Sequence, residues 1–388
     1  MTAPPERAPS RLRQGVRVAL VPLLALIAAM VVGALVIILT DPEILPFWAA
    51  FFRNPGNALI VSWNAVSDAY IALFDGAFGS PNAISETIVN ATPLIFAGLG
   101  FALAYRAGLF NIGGEGQILA GATLATWIGF TLDGLPAVVH LPLALVGGVG
   151  GGAIWGFVPG FLKARTGAHE VITTIMLNYI AASGLLYLLK TDTFLRPGRS
   201  DPISKVVSDS AKLPALGDLR VHAGIIVALL VAYAVWWLLF RSTLGFEFRS
   251  VGASPSAASY AGMSVAGTFV TVMMVSGALA GLAGASQVLG VRYYMSPGFF
   301  GYGFDAIALA ILGRNHPAGV VAASVLFGAL RAGGLSMQAA TSTPIDIILV
   351  IQALIIVFMA APALVRAIFR IRADRVVQPE ALTKSWGA

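Results

Sequence analysis

The stretch Gly108 to Gln117 reads G-L-F-N-I-G-G-E-G-Q, placing four glycines, an asparagine, a glutamate and a glutamine within ten residues between two apolar runs. A helix in hydrocarbon satisfies its own backbone and needs no such string. Gly113, Gly114 and Gly116 allow positive φ and close backbone approach, so the string suits an unwound turn that points free N–H groups into a translocation path. Glu115 at membrane depth is expensive unless it faces water or a partner, which makes it, with Asn111 and Gln117, a candidate for contact with a passing solute. The structural alternative is that Glu115 caps a re-entrant segment and pairs with Arg106. Asn178 and Asp305 also interrupt apolar stretches. Asp305 follows Gly301, Tyr302, Gly303 and Phe304, a flexible aromatic entry that could border the same path. For Asn178, interhelical hydrogen bonding competes with solute contact.

Bond-making chemistry has little support. The phosphate cradle G-x-x-x-x-G-K-[ST] is absent, as are H-E-x-x-H and G-x-S-x-G, so any ATP-driven step belongs to another polypeptide. The histidines, His140, His169, His222 and His316, fall in different loops, and there is no cysteine. No metal site is expected, and thiol nucleophiles and disulfides are excluded.

The elements that position these residues are membrane helices. Of 388 residues 57% are hydrophobic and 11% charged, against roughly 25% charged in an average soluble domain. Mean hydropathy is +0.84. The pattern predicts an all-α polytopic membrane protein with spans near 16–39, 84–105, 112–132, 137–162, 171–189, 223–240, 265–289, 301–312, 319–335 and 345–369. The eighth is short for a bilayer that needs about 20 residues, so one helix pair is expected to be short or broken. The first run is too long for a signal-peptide core of roughly 7–15 residues and is read as a retained helix.

Basic residues set the orientation. An inside N-terminus puts the N-terminal arginines, Arg106, Lys163, Arg165, Arg241, Arg249 and Arg314 in the cytoplasm, with Arg366, Arg370, Arg372, Arg375 and Lys384 of the tail. Both termini then face the cytoplasm. The organisation is a tail over 1–15, a transmembrane permease domain over 16–372 and a tail over 373–388, with external segments 40–85 and 191–221 and a cytoplasmic loop 241–264. Phe47, Trp48, Phe51, Phe52 and Trp63 suggest an amphipathic helix lying at the outer interface. The net charge of +6 reflects basic helix ends on the inner side, and nucleic-acid binding is not expected.

Within the loop 241–264, Ser254 suits an N-cap, Pro255 the first helical position, and Gly262 a left-handed stop, with Ala257, Ala258 and Ala261 favouring helix between them. Its alanines and Tyr260 form a small surface that could fit a cleft on a partner, or the loop is an ordinary connector. Arg314, Asn315, His316 and Pro317 read as a turn and charge anchor. Gly147, Gly148, Gly150, Gly151, Gly152 and Gly156, and Gly277, Gly281 and Gly284, read as helix-packing faces.

The strings G-L-F-N-I-G-G-E-G-Q, E-V-I-T-T-I-M-L-N-Y-I-A from Glu170, V-G-A-S-P-S-A-A-S-Y-A-G from Val251 and G-F-D-A-I-A-L-A-I-L-G-R-N-H-P-A-G from Gly303 resemble the permease subunits of ABC importers for branched-chain amino acids and ribose, in the nucleoside and simple-sugar branch. The likeness runs from about Ile84 to about Ala361. It implies a core of two permeases, alike or different, in a bacterial plasma membrane. It also implies two cytoplasmic ATPases that hold ATP and Mg, an extracellular substrate-binding protein or lipoprotein, and no cofactor in this chain. Gly252, Ala257, Ala258, Tyr260, Ala261 and Gly262 match the family's coupling helix, which docks into the ATPase. Ser254 and Ser256 stand where the family commonly has Asn and Glu, and His169 where Asn is frequent. The expected activity is transport without bond chemistry, of a nucleoside or a simple sugar. The rival classes are an ion-coupled secondary transporter using Glu115 or Asp305 and, more weakly, a membrane enzyme.

Overall fold

A computed structural model describes residues 11–298, 300–341, 344, 346–360 and 368–370. The tail 373–388, most of the tail 1–15, and Arg366, Arg372, Arg375 and Lys384 lie outside the described residues.

Each of the ten apolar stretches becomes a helix. In chain order the helices are α1 (Arg11–Thr40), α2 (Leu45–Ala49), α3 (Pro55–Phe78), α4 (Pro81–Arg106), α5 (Gly114–Thr131), α6 (Ala137–Thr166) and α7 (Glu170–Leu189), then α8 (Gly224–Arg241), α9 (Thr243–Ala253), α10 (Pro255–Tyr260), α11 (Val265–Gln287), α12 (Tyr302–Leu312), α13 (Pro317–Thr341) and α14 (Asp346–Ala360). Among the described residues seven helices are long and apolar enough to cross a bilayer, and α12 and α14 are shorter apolar helices. The short eighth span is therefore seen as α12, which follows a π-helical turn over Val288–Arg292.

Helix α4 is the centre of the bundle. Of its most apolar 18 residues 89% are buried, against 22% for the same stretch of α7 and 28% for that of α8, so neighbours surround this part of α4 on all sides. The peripheral helices bury one stripe only. On α8 it runs through Ala228, Ala232, Val235 and Leu239, while Leu230, Tyr233 and Trp237 point outward, a surface suited to lipid.

Helices α6 and α11 meet backbone to backbone. A methyl group added to Gly152 would overlap Gly277 O, one on Gly281 would overlap Gly148 O, and one on Gly156 would overlap Met273 O. Without a large apolar solvent penalty between helices in lipid, such close approach supplies the dispersion contact that holds them. These glycines are packing faces, as expected, although Gly150 meets nothing within 4 Å.

The segment 40–85, read as an external piece carrying an interfacial helix, is largely helical. Phe47 and Trp48 sit on the five-residue α2, and Trp63 on the 24-residue α3. At 1.5 Å per residue α3 is roughly 36 Å long, enough for a bilayer core of about 30 Å. It packs on α13, with Gly333 against Leu73 and Gly76 against Ser336, and turns through Gly79 and Ser80 into α4. Hydropathy misses it because Asn57, Asn64, Asp68 and Asp75 interrupt its apolar residues.

The segment 191–221 straps the end of α11. Ser204 N donates to Met295 O, Val207 N to Tyr293 O and Leu213 N to Leu289 O, each at 2.9 Å. Arg196 lies over the ring of Tyr294 and Lys212 over that of Tyr293. Burial pushes the His222 imidazole down to about 4. Its Nδ1 accepts from Gly224 N, and its Nε2 has no partner. The Arg199 guanidinium holds the exposed Asp201 carboxyl below its ordinary range.

Candidate translocation and coupling sites

The G-L-F-N-I-G-G-E-G-Q string forms a knot in which the polar side chains are answered from within the chain. Asn111 Nδ2 donates to Gln117 Oε1 and to Ser276 Oγ, both at 2.9 Å, while its Oδ1 accepts from Gly113 N at 3.0 Å and Gln117 Nε2 at 3.3 Å. Ser276 in turn donates to Gly100 O. Asn178 Oδ1 accepts from Gly116 N at 2.8 Å, and its Nδ2 donates to Ile112 O at 3.0 Å. The start of α5 is thereby tied to α4, α7 and α11.

Glu115 is 0% exposed. It does not pair with Arg106, whose Nε donates to Asn315 O and whose guanidinium lies over the ring of Phe240. Its two oxygens accept from Gly301 N at 2.9 Å and Gly303 N at 2.8 Å. The capping alternative thus holds in a different form: the carboxylate caps α12 from across the helix break. Gly114 and Gly303 face each other across this joint, where Gly303 has no room for a side chain.

Asn111, Gly113, Gly114, Glu115, Gln117 and Asn178, read as candidates for solute contact, are all buried and lie in the knot, where their polar side chains have partners within the chain. Asp305 is half-buried and ion-paired with Arg331 at 2.5 Å. Arg331 also lies over the Tyr302 ring, and Arg292 over that of Phe300. Sequence reasoning missed Arg331 although it stands alone among apolar residues of the span 319–335, which was signal enough. It also missed Ser276, which looks like another small packing residue until Asn111 is beside it.

A groove of about 1170 Å³ opens elsewhere, between α3 and α13, with Asn64, Asp68, Asp75, Glu86, Arg220 and Ser336 among its lining. No residue of the knot lines it, and neither does Asp305.

The turn over 252–262 has the caps expected of it. Ser254 Oγ accepts from Ala257 N at 3.3 Å, Pro255 begins α10, and Gly262 is left-handed at φ 85°. Tyr260 is 95% exposed. Pro255, Ala257, Ala261 and Gly262 are exposed with it, whereas Ala258 is buried at 4% and faces the chain itself. Ala258 is thus part of the turn's foundation rather than its outward surface. Gly252 closes α9 onto the end of α4, where a side chain would overlap Arg106 O. The turn at Arg314 and Asn315 is confirmed by their positive φ values of 54° and 52°. Among the described residues no group of three or more His, Cys, Asp or Glu could hold a metal ion.

The description "Branched-chain amino acid transport system / permease component" matches residues 83–360. The chain belongs to that permease family. It is 42% identical to the guanosine ABC transporter permease protein NupP of Bacillus subtilis (strain 168), over 89% of this chain and 94% of that one. It is 34% identical to the nucleoside ABC transporter permease protein NupB of Lactococcus lactis subsp. cremoris (strain MG1363), over 89% and 91%. A glucose ABC transporter permease protein, TsgB13 of Haloferax volcanii, is 37% identical over 78% of this chain and 83% of its own length. No solved structure matches. The chain is therefore a multi-pass ABC transporter permease, a transport component rather than an enzyme.

Proposed function

We propose that this permease carries nucleosides inward. The observation that carries the reading is likeness along nine-tenths of the chain to permeases named for guanosine and nucleosides. A permease of this kind has no motor, and the exposed turn around Tyr260 suits docking to one. The partners in this reading are a second permease, two cytoplasmic ATPases holding ATP and Mg, and an extracellular binding protein or lipoprotein that delivers the solute. The setting is a bacterial plasma membrane, with lipid against the outward faces of α7 and α8. A different second permease is favoured because NupP has the related counterpart NupQ in the same strain, 27% identical to this chain.

A simple sugar is the second reading, supported by the glucose relative. Both are tested by reconstituting the complete complex with its binding protein and measuring uptake of labelled guanosine and glucose with ATP. Guanosine uptake with ATP is the expected result. Glucose uptake alone would replace the solute. Uptake by the isolated chain under an ion gradient would overturn the whole reading in favour of secondary transport.

A further inference from the structure

The knot and the coupling turn, far apart in sequence, are joined in space. Gly252, two residues before the cap of α10, is seated on Arg106 O and Ala107, and Gly108 follows with φ 76° beside Gly252 Cα. From Gly108 the chain enters the knot within three residues, at Asn111. The knot then reaches α12 through Glu115, whose two oxygens take the N–H groups of Gly301 and Gly303. A carboxylate buried with only backbone partners is costly to desolvate, and apolar packing would hold a static joint at least as well. What it supplies is a directional link: two charge-assisted hydrogen bonds that fix one end of α12 to the start of α5.

We propose that Glu115 is a positioning residue that fastens the N-terminal end of α12 to the α4–α5 turn, so that displacement of the coupling turn by the ATPase moves α12. The chain of contact runs from α10 through α9 and Gly252 to Ala107 and Gly108, then through Glu115 to Gly301 and Gly303. Phe304, 49% exposed, and Asp305 ride on the moving end. This rests on the ATP-driven permease reading above, and it assigns Glu115 to the transmission of movement instead of to solute contact.

The test uses the complete complex reconstituted with its binding protein, with ATP hydrolysis and solute uptake measured on the same vesicles. Glu115→Gln keeps one acceptor and turns an amide N–H₂ toward the other donor. Uptake per ATP hydrolysed is expected to fall about tenfold, the size expected for losing one hydrogen bond to a charged group, while hydrolysis persists. A Glu115→Gln complex with lowered amount or hydrolysis but unchanged uptake per ATP would show a merely structural role and overturn the proposal. A second measurement does not depend on that variant folding. The chain has no cysteine, so Phe304→Cys supplies a single labelling site, and its labelling rate should change severalfold when ATP binds the complex. A rate indifferent to nucleotide would also overturn the proposal. Absence of any ATP-dependent uptake by the unaltered complex would instead defeat the functional reading itself.

Discussion

Two glycine-punctuated strings stand out in this chain, and the fold treats them in opposite ways. The knot from Asn111 to Gln117 turns its polar side chains inward until each has a partner. The turn from Ser254 to Gly262 satisfies only its own caps and leaves Tyr260 95% exposed. Polar residues at membrane depth therefore do not by themselves mark a contact surface, since neighbouring backbone can absorb them. An aromatic side chain left unburied on a short, firmly capped helix has no such internal account and is the better sign of a partner.

The largest effect that could break this contrast is expected inside the knot. Asn111→Leu strands Gln117 and the Gly113 N–H without partners and leaves Ser276 only Gly100 O, and a loss of about 3–5 kcal/mol is expected from the unsatisfied buried groups. Thermal unfolding in detergent would check it. A variant as stable as the parent would mean that the knot is not structural.

The exposed string should behave in reverse. Tyr260→Asp or Ala257→Glu is expected to change stability by less than about 0.5 kcal/mol, as for surface positions generally, yet to reduce co-purification of the ATPase subunits. Ala258→Glu forces a charge into a buried position and should cost about 3 kcal/mol or more before docking is considered. If all three variants lowered stability alike, the division between foundation and outward surface would be wrong.

Acid offers a comparison at the strap over the end of α11. The folded His222 is depressed to about 4 from an ordinary value near 6.5. Between those values the unfolded strap binds the proton and the folded one does not, so stability is full above about pH 6.5 and declines as pH falls toward 4. A loss of about 2 kcal/mol between pH 7 and pH 5 follows from 1.36 kcal/mol per unit. Hydrogen exchange of the amides of Ser204, Val207 and Leu213 should speed up accordingly, and His222→Gln should remove that dependence. The smallest expected loss of uptake is that of Ser254→Ala, where removal of the cap costs about 1 kcal/mol at the start of α10 and should lower uptake only modestly.

Much of this architecture was legible because its signals are local. Ten apolar runs became ten helices, and Ser254, Pro255 and Gly262 spelled out a short helix before any packing was known. What escaped depends on tertiary contact. The length of α3 was hidden by Asn64, Asp68 and Asp75, whose face opens on a groove rather than on lipid. The partners of Glu115 are backbone N–H groups 186 and 188 residues away, and a backbone donor leaves no trace in residue type. Arg331 was readable as a charge within an apolar run, and only its pairing with Asp305 required the fold.

The bare-backbone seam between α6 and α11 has a mechanical consequence. With carbonyls of one helix lying where side chains of the other would stand, neither rod can slide or rotate past its mate without collision, so the two must travel as a single girder. Beyond that girder the backbone already leaves the α-helix, at the left-handed Gly167 that closes α6 and at the π-helical turn where α11 gives out, and these are its natural joints. A transporter built this way changes shape at its joints and keeps its beams intact.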